Sequence, residues 1–179
     1  LLFLARIIKE KGIFETLETF EILKKNYPNI ELIISGDGQD ISKIKDLVLS
    51  KRIKDVKFLG YVSKIGKVKS FTDSTIYILP TFYGEGMPTS VLEAMAFGLP
   101  VVTRPVGGLI DFFEDGKMGY ITESKDPVVF AELIEKLISD NELYSRISKY
   151  NYEYAKEHFY ASKVATRLEK IYEYIITNK

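Results

Sequence analysis

Short apolar runs alternate with longer stretches of helical periodicity over most of the chain. Leu1 to Ala5, Ile30 to Ser35, Val56 to Leu59, Thr75 to Leu79 and Val101 to Thr103 are each short and nearly continuous in apolar residues, as parallel strands buried on both faces should be. Gly119 to Ile121 is a further candidate. Between them, Gly12 to Tyr27 sets Ile13, Leu17 and Phe20 on one side of a helix, and Ile41 to Leu49 repeats the spacing with Ile44, Leu47 and Val48. Ser63 to Phe71 and Pro88 to Phe97 predict two more helices. Repeated strand, helix, strand units imply right-handed crossovers and an open sheet covered on both faces. The expected fold is therefore α/β, a doubly wound parallel sheet.

From Pro127 onward the pattern is helical only, with Phe130, Leu133, Ile134 and Leu137, then Leu143 and Ile147, then Val164, Leu168, Ile171 and Ile175. This predicts extra C-terminal helices and a division into a sheet-bearing domain at 1–158 and a C-terminal helix at 159–179. Tyr150, Tyr152 and Tyr154, with His158, Phe159 and Tyr160, crowd the junction before the last helix and mark it as a packing surface, a missing domain being one candidate partner. The opening LLFLA reads as a strand already under way, with no initiating Met, so the chain is expected to be a piece of a longer protein.

Composition narrows the chemistry. Lys plus Arg and Asp plus Glu both total 25, so no global field draws nucleic acid or an anionic surface, and any anion site must be local. The chain has no cysteine, which removes disulfides, thiolate catalysis and Cys-based zinc sites, and its one histidine, His158, leaves no Ser-His or Cys-His machinery. No Asp-x-Asp pair occurs to hold a divalent ion on a diphosphate, so no metal site is expected.

The stretch TFYGEGMPTSVLEAMAFGLP, from Thr81 to Pro100, carries the most chemistry. Glu85 lies in a Gly-flanked loop, Glu93 one turn into the helix that follows Pro88, and between them the first helix amides have no intrahelical partners and sit at the positive end of the dipole. An anion suits those amides, and acids on either side suit the hydroxyls of a sugar or ribose. Ser90 to Glu93 also has the spacing of a capping box, a structural alternative for Glu93.

In such a sheet ligands sit beyond the carboxyl ends of the strands. After the first strand come Arg6 and Lys11, two cations suited to a diphosphate, with a solvated basic turn as the alternative. After the second comes Gly36-Asp37-Gly38-Gln39, a tight turn near a bound nucleotide that has Ile41 where a dinucleotide fingerprint would have its third glycine. After the third, Gly60, Tyr61 and Val62 could lie against a base or simply pack in the core. Gly107 and Gly108 allow close approach of a ligand or merely a turn, and Arg104 is an anion contact or a solvated residue.

Taken together, these pieces resemble the nucleotide-sugar-binding C-terminal half of the retaining, two-Rossmann (GT-B) glycosyltransferases of group 1, family 4. The likeness runs nearly the whole chain: the Glu-x7-Glu pair Glu85 and Glu93, Arg6 and Lys11 in LARIIKEKG, ISGDG at Ile34 to Gly38, FLGYV at Phe58 to Val62, and VGG with a following EDGKMGY. Ala5 departs from a frequent glycine, and Gly84 before Glu85 departs from other members, which bears on sugar preference. The resemblance implies a Rossmann-like domain in which Arg6 and Lys11 hold the donor diphosphate and Glu93 accepts from the ribose hydroxyls. Glu85 and the backbone of Gly86, Met87, Pro88 and Thr89 would meet the sugar, while Gly36, Gly38 and Val62 would line the nucleotide end. It also implies retaining, metal-independent transfer of a hexose from a UDP-, GDP- or ADP-sugar, without cofactor, to a glycan or lipid-linked acceptor held by an N-terminal domain. The leaving phosphate would assist a same-face substitution. A cytoplasmic setting, with a peripheral place at the inner membrane face if the acceptor is a lipid, follows from where nucleotide sugars are made. A nucleotide-sugar epimerase and a nonenzymatic nucleotide-binding module are the rival readings.

Overall fold

The computed structural model describes residues 1–84 and 86–178. One parallel sheet of six strands organises the chain: β1 (Leu2–Leu4), β2 (Leu32–Ser35), β3 (Val56–Gly60), β4 (Tyr77–Leu79), β5 (Val101–Thr103) and β6 (Gly119–Ile121), in the order β3-β2-β1-β4-β5-β6. The crossovers are α1 (Ile13–Asn26), α2 (Ile41–Ser50), α3 (Lys64–Thr72) and α4 (Thr89–Ala96), and the chain closes with α5 (Pro127–Ser139), α6 (Asn141–His158) and α7 (Ala161–Thr177). The expected α/β doubly wound architecture is what folds, with helices on both sheet faces. Every strand and helix expected from the periodicity is present, with ends displaced by a few residues at most.

The central strands β1, β2, β4 and β5 are almost wholly buried, Leu2, Phe3, Leu32, Tyr77, Ile78, Val101 and Val102 among them. β3 departs from the expected two-sided burial: it is an edge strand, and Lys57 and Leu59 are exposed. α1 packs against α5 and α4 against α6. Asn151, buried in α6, ties that last pairing to the sheet by donating from Nδ2 to the Leu99 and Met118 carbonyls at 2.8 and 2.9 Å, just before β5 and β6.

The aromatic junction finds most of its partners within the chain. Tyr154 stacks with Phe112, with Tyr150 and with the His158 ring at 4.2 Å, and Phe159 closes edge-on over Phe112 and Tyr154. Tyr152 and Tyr160 stay exposed. His158 ends α6, and every described residue of α7 is exposed, including Val164, Leu168, Ile171 and Ile175 along one stripe. Among the described residues no helix is long and apolar enough to cross a membrane.

Candidate functional site

The strand order reverses between β1 and β4: the chain moves outward from β1 to β2 and β3, then returns across the sheet to β4. Loops leaving neighbouring strands on the two sides of such a switch point part from one another and leave a crevice at their carboxyl ends. Two adjoining cavities occupy that crevice. The first, of about 330 Å³, is lined by Arg6, Lys11, Lys67, Tyr83, Pro88, Thr89, Ser90 and Glu93, with Leu4, Ala5, Leu79 and Met87. The second, of about 310 Å³, shares Leu4, Ala5, Arg6 and Lys67 and adds Ser35, Gly36, Asp37, Tyr61 and Val62. A larger groove of about 710 Å³ lies elsewhere, between α1, the turn after α2 and the start of α5, and contains none of the residues singled out by sequence.

Backbone bonds between the loops fix the walls. Ala5 N donates to Ser35 O, Ile7 N to Asp37 O, and Gly36 N to Gly60 O at 2.7 Å, so the turns after β1, β2 and β3 form one continuous rim. Glycine is required in this rim. Gly36 has φ of +137°, and a Cβ there would stand 1.9 Å from the Ala5 carbonyl oxygen; a Cβ at Gly38 would stand 2.3 Å from that of Ile7. Asp40, at the start of α2, accepts from the Lys9 amide at 2.9 Å and the Lys43 ammonium at 2.8 Å, which pins the turn carrying Arg6 and Lys11. The Lys43 ammonium, and then the Lys9 amide, hold the Asp40 carboxyl below the usual carboxylate range against the effect of burial. On the other side, Phe82 N and Thr81 Oγ1 both donate to Glu10 O, joining the turn after β1 to the loop after β4. The Lys11 ammonium sits 4.6 Å from the centroid of the Tyr83 ring.

The start of α4 opens on the first cavity. Pro88 precedes it, no side chain caps it among the described residues, and its first two residues, Thr89 and Ser90, line the wall. The capping box does not form. Ser90 Oγ lies 2.7 Å from the Tyr77 hydroxyl, and Glu93 Oε1 accepts from Lys67 Nζ on α3 at 2.6 Å. Glu93 Oε2 is shielded from water and has no partner among the described residues. The Arg6 guanidinium is exposed and has no hydrogen bond or ion pair among the described residues.

Of the residues singled out by sequence, Arg6, Lys11, Glu93, Met87, Pro88 and Thr89 are brought to the first cavity, Gly36 and Val62 to the second, and Arg6 to both. Gly38 lies behind the rim, packed on Ile7. Gly86 lines neither cavity; its carbonyl accepts from Gly108 N at 2.8 Å, and a Cβ on Gly108 would meet the Met87 methyl at 2.5 Å. Gly108 therefore admits the chain's own loop. Glu85 lies outside the described residues. Tyr61 is 82% exposed at the mouth of the second cavity, which removes core packing as its explanation. Arg104 is turned away, donating to the Glu123 carbonyl at 2.9 Å. Lys67 and Asp37 are lining residues that sequence reasoning passed over. Among the described residues no group of three or more His, Asp or Glu side chains could hold a metal ion.

Comparison with known proteins converges on one family. The sequence profile described as glycosyl transferases group 1 matches residues 1–154. The chain is 29% identical over 172 residues to the capsular polysaccharide biosynthesis glycosyltransferase CapM of Staphylococcus aureus, covering 95% of this chain and 44% of CapM. The fold superposes on Anabaena HepE, solved with UDP and glucose, with a TM-score of 0.83 at 19% identity over 96% of this chain and 47% of HepE. It also superposes on the C-terminal domain of a glycosyl transferase group 1 family protein, LpcC, of Francisella tularensis. There the TM-score is 0.77 at 25% identity, over 89% of this chain and 85% of that domain. The chain thus spans about half the length of the curated relatives it matches.

Proposed function

The chain belongs to the glycosyl transferases group 1 family, and on that premise we propose that it is the donor-binding half of a hexosyltransferase that uses a nucleoside diphosphate sugar. One observation carries the reading: Arg6, Lys11, Glu93 and the uncapped start of α4 surround a single cavity at the topological switch point. Cations and helix amides around one opening complement a diphosphate, and the adjoining cavity, with Tyr61 at its mouth, gives room for a base. UDP and glucose bound to HepE, and UDP and GlcNAc bound to the pneumococcal O-GlcNAc transferase GtfA, are ligands of that class.

In the proposed reaction the bond between the anomeric carbon and the diphosphate breaks, and negative charge grows on the leaving phosphate. Arg6, Lys11 and the amides of Thr89 and Ser90 stabilise that charge, and the amides do so from fixed positions, which lowers the barrier because they need no reorganisation. Glu93 accepts from the ribose hydroxyls. Glu85 and the Met87 to Thr89 segment meet the transferred sugar. A hydroxyl of the acceptor, a glycan or a lipid-linked sugar held by the other half of the protein, forms the new bond to the anomeric carbon on the face from which the diphosphate leaves and gives its proton to the departing phosphate, so that configuration is retained without a metal. The apolar stripe of α7 packs against that other half.

Calorimetric titration with UDP, GDP and ADP, each beside its monophosphate, tests the reading. One diphosphate should bind, and bind more tightly than its monophosphate. Failure of all three to bind would remove the proposal.

A further inference from the structure

Four residues line both cavities, and three of them, Leu4, Ala5 and Arg6, come from the end of β1. The fourth is Lys67, which reaches in from α3 and bonds Glu93 Oε1 on α4 at 2.6 Å. The pair thus stands where the cation-lined cavity meets the one with Tyr61 and Val62, the position a ribose joining a diphosphate to a base would take. Stability does not account for it well. The two side chains are 34% and 38% exposed, and ion pairs so solvated contribute little to folding.

The bond does restrict Glu93. A carboxylate offers about four acceptor sites; Lys67 takes one on Oε1, and Oε2, shielded from water, has no partner among the described residues. A vicinal diol carries two hydroxyl donors close enough together to reach one carboxylate. A Glu side chain free to rotate would lose conformational entropy on meeting that diol, whereas one already tethered has lost it on folding.

We infer that Lys67 is the positioning residue through which the cleft selects a ribose: by fixing Oε1 it presents the rest of the Glu93 carboxylate to a 2′,3′-diol and sets the preference for ribonucleotides over 2′-deoxyribonucleotides. The inference rests on the reading of Glu93 as the ribose acceptor. It also commits α3, from which no site residue was expected, to substrate discrimination.

The test compares UDP, GDP and ADP by calorimetry, takes the tightest, and repeats the titration with its 2′-deoxy counterpart on wild type, Lys67→Met, Lys67→Gln and Lys67→Arg. Wild type should prefer the ribose form by about 10- to 150-fold, the worth of one hydrogen bond to a charged acceptor. Both neutral variants should lose most of that ratio, chiefly through weaker binding of the ribose form, and Lys67→Arg should restore it. If the ratio persists in the neutral variants, or if both forms weaken equally while the melting temperature falls, Lys67 is merely structural and the inference is overturned, with the Glu93 reading left standing. If wild type binds both forms alike, or binds no nucleotide, the Glu93 reading fails and takes the inference with it.

Discussion

Truncating Arg6 separates binding from folding more cleanly than any other change at the cleft. Its guanidinium is exposed and makes no hydrogen bond or ion pair among the described residues, while its turn is held by main-chain bonds from Ala5 to Ser35 at 3.2 Å, Ile7 to Asp37 at 2.9 Å and Ile8 to the Arg6 carbonyl at 3.0 Å. Arg6→Ala leaves all of these in place, so stability should change by no more than about 0.5 kcal/mol, as for surface substitutions generally. Binding should respond quite differently. One hydrogen bond from a guanidinium to a phosphate is worth about 1.5–3 kcal/mol, hence roughly a 10- to 150-fold loss of affinity, and the exposure of Arg6 favours the lower end of that range. Arg6→Lys should recover only part of it, because an ammonium cannot match the two-pronged geometry of a guanidinium on phosphate. The assay is calorimetry with the diphosphate, monophosphate and nucleoside of whichever base binds. The penalty should be largest for the diphosphate and vanish for the nucleoside. A diphosphate affinity within about twofold of wild type, in a protein that melts normally, would take Arg6 out of the phosphate end and refute the reasoning.

Three further changes probe the acid, the frame and the rim. Glu93→Gln should weaken the ribonucleotide by about tenfold or more with little change in melting, since no capping bond is lost; a lower melting temperature with affinity intact would make Glu93 a structural residue. Asn151→Leu, of similar volume, deprives the buried Leu99 carbonyl of its side-chain donor and removes one of two donors from that of Met118, the other being Val101 N. A loss of about 1–3 kcal/mol in denaturant unfolding is expected, and an unchanged midpoint would show that α6 is held by apolar packing alone. Because the folded pKa of Asp40 is depressed, its contribution to stability is present above the unfolded value of about 3.9 and is lost as pH falls through the folded one. The gap in stability between wild type and Asp40→Asn should therefore be full at pH 7 and close in strong acid; a gap independent of pH would show that the carboxylate charge does not hold the turn.

The fold was legible because buried parallel strands and one-sided helices have different periods. Val101–Thr103 can be bounded from sequence because it lies between Pro100 and Arg104. β3 reads as buried in a linear window, since VKFL looks apolar enough. Its exposure follows from being last in the strand order, and strand order is set by which crossovers pack, a property of pairs of elements that no single window contains. Gly36 and Gly38 were noticed for their likeness to a nucleotide loop, yet what demands glycine there is the approach of the Ala5 and Ile7 carbonyls.

The cleft was legible to the extent that its residues lie at strand ends. Arg6, Lys11 and Glu93 sit within a few positions of a strand or helix start, and a parallel sheet brings such positions to one edge wherever they fall in the chain. Lys67 is as near a helix start as Glu93, yet nothing in its sequence setting marks it. It lies in the run KIGKVKSF, where lysines recur as they do on any solvated face, and its partner is 26 residues away. The two meet because the chain passes from β3, at one edge, back over β2 and β1 to β4, and that long return lays α3 beside α4 at the switch point. The crossover that opens the crevice therefore also delivers the cation that touches its acid. A charge contributed by the returning helix is a consequence of this topology, and a reading confined to strand ends passes over it because the pairing exists only once α3 and α4 have met.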